Sequence, residues 1–117
     1  MADGGGKGNG LDRGGATRGR GETPELARLR RRIDALDKRI VGLLNERAEL
    51  GREVGREKVA AGRRAIRDAE REREVLLRVT MANSGPIAQA DLLAIYRRLI
   101  AATRALEARD RARESRD

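Results

Sequence analysis

The sequence predicts an all-α protein in which a long first helix precedes two shorter ones. Apolar residues recur at alternating steps of three and four over residues 26–54, which is the pattern of a heptad seam. A strong turn signal, NSGP at residues 83–86, separates two further helical patterns. No stretch shows the apolar–polar alternation of a strand. These observations together predict a three-helix protomer.

The first helix is predicted to run from about residue 24 to residue 61. Thr23 can cap its N-terminus, Pro24 suits the first helical position and Gly62 can end it. Its apolar stripe is interrupted at Arg47, where the spacing demands another leucine, and a guanidinium in an apolar seam is costly. The stripe comprises Leu26, Leu29, Ile33, Leu36, Ile40, Leu43, Arg47, Leu50 and Val54.

The second helix is predicted from about residue 67 to residue 82, and the third from about residue 88 to residue 109. Around the helices we expect a disordered glycine- and arginine-rich tail (residues 1–22), a helical domain (23–110) and a charged C-terminal tail (111–117). The predicted inward positions are Ile66, Ala69, Leu76 and Val79 or Thr80 in the second helix, and Leu92, Ile95, Tyr96, Leu99, Thr103 and Leu106 in the third.

Composition narrows the possible functions. The 117 residues contain no cysteine and no histidine, which excludes disulfides, Cys–His and Ser–His catalysis and nearly all zinc sites. The formal net charge of +8 favours anionic partners. The single aromatic residue, Tyr96, argues against a stacking platform for single-stranded nucleic acid. No segment has the pattern of a signal peptide or a membrane span, so we expect a cytoplasmic protein.

The length of the first helix predicts a homodimer. A helix from residue 24 to residue 61 spans roughly 55 Å, whereas a compact domain of this size has a radius of gyration of about 12 Å. Its seam would remain in water unless a second copy of the chain covered it. Gly51 and Gly55, one turn apart, indicate either close backbone approach or merely a glycine-rich composition, and the sequence favours neither.

Polar side chains crowd the predicted inner faces of all three helices. Singly they have ordinary explanations: Arg47 could be a structural arginine paired with a glutamate, and Asp68 with Glu72 is more often a solvated face. Arg71 and Arg73 are expected to contact solvent. Together the inner groups suit a cavity for a small polyanion, above all a dicarboxylate. They are Arg30, Arg47, Lys58, Glu72, Thr103 and Glu107.

Several spaced motifs resemble the all-helical (type II) chorismate mutase family. The segments that carry the resemblance, which covers roughly residues 25–108, are LARLRRRIDALDKRIVGLLNERAELGREVGREK, IRDAEREREVL and LLAIYRRLIAATRALEA. The matching motifs are an early arginine, Arg30; the L-D-x-x-[IL]-x-x-L-[IL]-x-x-R core from Leu36 to Arg47; E-V-G-x-x-K from Glu53 to Lys58; and R-D-x-x-R-E from Arg67 to Glu72.

The resemblance implies an intertwined helical homodimer that isomerises chorismate to prephenate, a unimolecular step of phenylalanine and tyrosine biosynthesis that needs no cofactor. By similarity, Arg47 and Arg30 bind substrate carboxylates, and Arg30 comes from the other subunit. Lys58 reaches a carboxylate and the ether oxygen, and Glu72 with the Asp68 region holds the ring hydroxyl. The implied catalytic residues are Lys58, Glu107 and Arg47, and the implied substrate-binding residues are Arg30, Arg47, Lys58, Asp68, Glu72, Thr103 and Glu107.

Two features depart from the pattern of bacterial family members. The loop between Lys58 and Arg67 looks one residue longer than in short bacterial relatives. Glu107 stands where most bacterial members have glutamine, which donates a hydrogen bond to the ether oxygen, and where eukaryotic relatives have glutamate. An ionised carboxylate cannot donate, so the hypothesis is that Glu107 works in its protonated form.

Other functions are compatible with parts of the sequence. The closest is an isochorismate pyruvate lyase, which has the same fold and a similar cationic pocket. A basic helical nucleic-acid-binding protein would use the net charge and the glycine–arginine tail, but the cations singled out above face the seam. A purely structural coiled coil would leave Arg47, Lys58 and Glu72 without a purpose. Docking on another shikimate-pathway enzyme is also conceivable.

Overall fold

Three helices account for the part of the chain that the structure describes. The structure is a computed structural model, and it describes residues 21–63 and 67–116. The helices are α1 (Pro24–Ala60), α2 (Ala69–Ala82) and α3 (Gln89–Arg116), and no strand occurs within those two ranges. The predicted all-α class, with three helices and a long first one, is confirmed.

The described chain forms two compact units that divide after Val41. The first contains the N-terminal part of α1 with its cap. The second begins at Gly42 and contains the rest of α1 together with α2 and α3, and it holds the site described below. Two predictions fall outside the described residues: nearly all of the N-terminal tail, and the inward position of Ile66.

Both ends of α1 have the caps that the sequence predicts. Thr23 Oγ1 accepts a hydrogen bond from the backbone N–H of Leu26 at 3.0 Å, which satisfies one of the open donors of the first turn. Beyond the last turn, Gly62 adopts a φ of +80°, a left-handed conformation that glycine tolerates and that ends the helix.

α2 starts at Ala69, slightly later than predicted, because Asp68 is its N-cap. Asp68 Oδ1 accepts a hydrogen bond from the backbone N–H of Arg71 at 3.0 Å. After α2, the predicted turn is present: Asn83 Oδ1 accepts a hydrogen bond from the N–H of Gly85 at 2.9 Å, and Gly85 has a φ of +82°.

α3 extends to Arg116, through residues 111–116, which the sequence analysis assigned to a charged tail. An ion pair with α1 holds the start of this extension. Arg52 Nε and Nη2 donate to the two carboxylate oxygens of Asp110 at 3.0 and 2.9 Å. Arg113 and Arg116 lie in the last turn, where cations stabilise the negative end of the helix dipole.

The two glycines of α1 let it approach α3 closely. A Cβ atom built at Gly51 would overlap the Cγ2 methyl of Thr103, and one built at Gly55 would lie 3.0 Å from Cγ of Glu107. Gly55 is buried. Of the two explanations left open by the sequence, close backbone approach is therefore the correct one.

The apolar stripe of α1 is exposed in a single chain. Its apolar members from Leu29 to Val54 are 41–58% exposed, and no apolar side chain in the described ranges is buried. Ile95 on α3, predicted to point inward, is 50% exposed. Exposed apolar surface of this extent is typical of an interaction site. No helix in the described part of the chain is both long enough and apolar enough to span a bilayer.

Candidate active site

A cavity of about 270 Å³ lies among the C-terminal half of α1, the start of α2 and the middle of α3. Six of the seven residues predicted to bind substrate line it, and Arg30 is the exception. Four cations and three carboxylates make its lining positive on balance, which suits an anionic ligand. The polar lining residues are Arg47, Lys58, Arg71 and Arg104, with Asp68, Glu72, Glu107 and Thr103.

Arg47 lines the cavity and has no carboxylate partner within the described ranges. No carboxylate oxygen there lies within 4.0 Å of its guanidinium, so the structural ion pair considered from the sequence does not form. Its guanidinium carbon instead lies 5.7 Å from the ring centroid of Tyr96 on α3, a cation–π contact. This contact holds the planar group while leaving its forked N–H donors for a ligand.

Lys58 follows Arg47 by three helical turns, so the two cations share one face of α1. Lys58 Nζ lies 3.8 Å from Glu107 Oε1, and the two side chains are 11% and 8% exposed. This Oε1 atom is buried and accepts no hydrogen bond from the described residues. Gly55 makes room for the Glu107 side chain beside α1. The cavity therefore contains a nearly buried, long ion pair.

Asp68 combines a structural role with its position at the cavity. The backbone N–H of Arg71 and, to a smaller extent, the Arg63 side chain hold the pKa of Asp68 below its usual range. Arg63 Nη2 lies 3.5 Å from Asp68 Oδ2. Both carboxylate oxygens thus already have partners, and capping α2 is the clearest role of this residue.

Glu72 lies on α2 between two arginines. Arg104 Nη1 on α3 donates to Glu72 Oε2, and Arg67 Nε lies 3.4 Å from Glu72 Oε1. The Glu72 and Arg104 side chains are 17% and 31% exposed, whereas Arg67 is 67% exposed. Arg104 is therefore the better shielded of the two partners.

Thr103 faces the cavity from α3. Its hydroxyl donates a hydrogen bond to the backbone carbonyl of Leu99 at 3.1 Å, as expected for threonine within a helix. The hydrogen of the hydroxyl is thus engaged, while the oxygen can still accept a hydrogen bond from a ligand. Its methyl group occupies the space that a Cβ atom at Gly51 would need.

Arg30 belongs to the first compact unit and does not line the cavity. Its Nη1 donates to Glu22 Oε1 at 2.9 Å, and its side chain is 58% exposed. An ion pair with one such exposed partner is weak, since water screens the attraction. Arg30 is thus available to a partner molecule at little cost, and its role in substrate binding stays a prediction.

Two cavity residues were missed by the sequence analysis. Arg71 was expected to contact solvent, and it does pair with Glu74, but it also lines the cavity. Arg104 was not considered. A signal for Arg104 existed: Ile100, Thr103, Arg104 and Glu107 follow the i, i+3, i+4, i+7 spacing of one helix face. No cluster of acidic groups within the described ranges could hold a metal ion.

These features define a class: an all-helical protein with a cationic cavity whose size and charge suit a small anion. The chain belongs to the chorismate mutase type II family, whose sequence model matches residues 29–108. The family predicted from the sequence motifs is thereby confirmed.

Relatives and a solved structure agree with this family. The chain is 37% identical over 90 residues to the bifunctional chorismate mutase/prephenate dehydratase of Stutzerimonas stutzeri, covering 74% of this chain and 25% of that protein. It is 40% identical over 87 residues to the enzyme of the same name from Aquifex aeolicus, covering 71% and 24%. The chain thus spans about a quarter of the length of these relatives.

The fold is similar to that of a chorismate mutase (form II) from Thermus thermophilus. The TM-score is 0.69 at 30% sequence identity, and the match covers 73% of this chain and 96% of the other. The similarity therefore extends over nearly the whole of a mutase structure.

Proposed function

We propose that this protein catalyses the isomerisation of chorismate to prephenate in phenylalanine and tyrosine biosynthesis. One observation carries the proposal: Arg47 and Lys58 line one cavity from the same face of α1, opposite Thr103 and Glu107 of α3. Membership of the chorismate mutase type II family supports it. Two cations on one wall fit a dicarboxylate, and among the described residues no carboxylate pairs with Arg47.

The proposed mechanism needs no covalent intermediate. Arg47 holds a substrate carboxylate through its forked donors, and Lys58 binds a carboxylate and the ether oxygen. These contacts select the folded conformer in which the two ends of the substrate meet. As the C–O bond breaks, charge grows on the ether oxygen, and the preorganised cation stabilises it. An acceleration of about 10⁶-fold requires about 8 kcal/mol, within reach of orientation combined with electrostatics.

Glu107 is proposed to act in its protonated form. Its Oε1 accepts no hydrogen bond from the described residues and lies 3.8 Å from Lys58 Nζ. A protonated carboxyl there can donate to the ether oxygen, as the glutamine of other family members does, while Lys58 keeps its full charge for the substrate. An ionised Glu107 would instead oppose the charge that develops.

A homodimer is proposed as the active form. The apolar members of the α1 stripe from Leu29 to Val54 are 41–58% exposed, and a second copy of the chain is the occupant that their heptad spacing fits. Arg30 lies outside the cavity of its own chain, which supports its proposed donation to the partner's site. Glu22 is an exchangeable partner that a substrate carboxylate can replace.

The test is a prephenate-formation assay on purified protein with two arginine variants. Arg47→Ala should lose activity by about 10²-fold or more, since it removes a charged contact in a shielded site. Arg78→Ala is the control, because Arg78 is 69% exposed on α2 and does not line the cavity. Mass and helicity should be unchanged in both variants.

Three results would contradict the proposal. They are full activity in Arg47→Ala, turnover of isochorismate to pyruvate and salicylate without mutase turnover, and salt-sensitive nucleic-acid binding in the absence of either reaction. The second result would identify a lyase on the same fold.

A further inference from the structure

We propose that Arg104 is a positioning residue: it fixes the Glu72 carboxylate as the acceptor for the ring hydroxyl of the substrate. The proposal rests on the function proposed above and deepens it. The family motifs quoted from the sequence do not include Arg104, and its role follows from where α3 places it.

The geometry of Glu72 carries the proposal. Arg104 Nη1 donates to Glu72 Oε2 across the α2–α3 contact, and both residues line the cavity. A glutamate side chain has three rotatable bonds, so an unanchored Glu72 would sample several orientations. The ion pair selects one of them. A carboxylate held in this way is acceptor-only, as a contact to a donating hydroxyl requires.

Charge balance gives Arg104 a second effect through the same contact. The substrate is a dianion, and an uncompensated carboxylate at the cavity wall would repel it. Arg104 neutralises Glu72 locally, so the hydroxyl acceptor can be present without lowering affinity for the carboxylates. Arg67 cannot substitute fully, since it is 67% exposed and its contact at 3.4 Å is longer than a good hydrogen bond.

A purely structural role is the alternative to exclude, and the chain offers a matched control. Arg52 and Asp110 form a comparable bridge between α1 and α3, with side chains 28% and 20% exposed. Arg52 does not line the cavity. If Arg104 merely tied two helices together, Arg104→Gln and Arg52→Gln would affect activity in the same way.

The experiment compares chorismate with an analogue in which hydrogen replaces the ring hydroxyl. The readout is hydroxyl preference, the ratio of the two kcat/KM values. Arg104→Gln should lower kcat/KM for chorismate by about tenfold or more and lower that for the analogue clearly less, because repulsion by Glu72 acts on both dianions whereas its misorientation affects only the hydroxyl. KM for chorismate should rise, because the uncompensated Glu72 carboxylate repels the dianion. The kcat value should fall, because an unanchored Glu72 no longer orients the hydroxyl. Arg104→Lys should recover a large part of the preference, since it restores the charge.

A double variant shows whether Arg104 affects the hydroxyl preference through Glu72 or independently of it. Glu72→Gln should lose the preference by a similar factor, and combining it with Arg104→Gln should add little. Arg52→Gln should lower the thermal midpoint while the preference stays at its wild-type value.

Two outcomes would overturn the positioning role of Arg104 while leaving the proposed mutase function intact. Equal loss on both substrates in Arg104→Gln would mean that Arg104 acts on the fold or on the carboxylates. Additive losses in the double variant would mean that it does not act through Glu72. Absence of chorismate turnover by the wild-type protein would overturn the proposed function itself, and this proposal with it.

Discussion

Lys58 and Glu107 face each other across the α1–α3 contact, with Nζ and Oε1 3.8 Å apart and both side chains nearly buried. That distance permits attraction but exceeds a hydrogen bond. The two protonation states of Glu107 use the pair differently. Ionised, Glu107 neutralises Lys58; protonated, it leaves the lysine charge to a bound anion and gains an O–H donor. The proposed mechanism requires the protonated state.

A pH profile tests this requirement. If the proposed mechanism is right, wild-type kcat/KM should rise as pH falls from about 8 to about 5, because only a protonated carboxyl can donate to the ether oxygen. Glu107→Gln always donates, so its profile should be flatter. The other charged groups of the two cavities that Glu107 lines are the same in both proteins; they are Arg47, Lys58, Asp68, Arg71, Glu72 and Arg104 in one, and Arg52, Arg56, Asp110, Arg111 and Glu114 in the other. Any difference between the two pH profiles is therefore due to Glu107. Two identical flat profiles would exclude protonated Glu107 as the hydrogen-bond donor.

The close approach of Gly51 to Thr103 predicts that Gly51→Ala destabilises the wild-type protein but stabilises a variant that lacks the threonine methyl. Gly51→Ala should lower the free energy of unfolding by about 1–3 kcal/mol, because its new methyl would overlap Cγ2 of Thr103. In a Thr103→Ser background that methyl is gone, and the nearest remaining atom is Cβ at 3.7 Å. There the same substitution should stabilise by about 1 kcal/mol through helix propensity.

Denaturant unfolding of the four proteins measures this cycle, and Gly42→Ala is the control. A Cβ atom at Gly42 meets nothing within 4 Å in its own chain, so the variant should be stabilised. Destabilisation by Gly51→Ala in both backgrounds would show that some group other than the threonine methyl limits the space.

The bridge between Arg52 and Asp110 predicts an acid-sensitive contribution to stability. Hydrogen bonding to Arg52, and secondarily its charge, hold the pKa of Asp110 below its usual range. A lowered folded-state pKa gives stability that is present above the unfolded value of about 3.9 and is lost as pH falls below it.

Asp110→Asn tests that contribution. The thermal midpoint of the variant should be lower than that of the wild type at pH 6, and the gap should narrow as pH falls below about 4. Asp68, whose pKa is also lowered, titrates in both proteins, so its protonation lowers both midpoints without changing the difference between them. A difference in thermal midpoint that stays constant down to pH 2.5 would mean that the carboxylate charge of Asp110 does not contribute to stability.

Subunit mixing tests the proposed donation of Arg30 across the dimer. Arg30→Ala and Arg47→Ala should each be nearly inactive. In a heterodimer of the two, one site receives both wild-type arginines and the other receives neither. Random mixing in equal amounts should therefore restore about a quarter of wild-type activity. If Arg30 served its own chain, every site would lack one arginine and mixing would restore nothing.

The sequence predicted the helices well because their signals are local. The Thr23 cap, the Gly62 stop and the turn after α2 depend on neighbouring residues alone, and the structure contains all three. The end of α3 was placed too early because its stabilising contact, Arg52 with Asp110, joins residues 58 positions apart. Charge-rich sequence with no apolar stripe gave no local reason to continue the helix.

The lining of the cavity was predictable where a polar residue breaks an apolar pattern. Arg47 interrupts a leucine stripe, and Lys58 lies on the same face. Arg71 and Arg104 belong to segments already rich in arginine, so Arg71 resembled a solvated charge and the spacing of Arg104 on the face of Thr103 and Glu107 was only a weak signal. Their positions become clear only when α2 and α3 are placed together.

Most of the apolar stripe of α1 remains uncovered in one chain, while a glutamate is nearly buried. If a second copy covers that stripe, folding and association are a single equilibrium. The thermal midpoint then rises with protein concentration, and dilution removes structure and turnover together. The amount of protein in the solution would thus itself regulate the enzyme, without any effector.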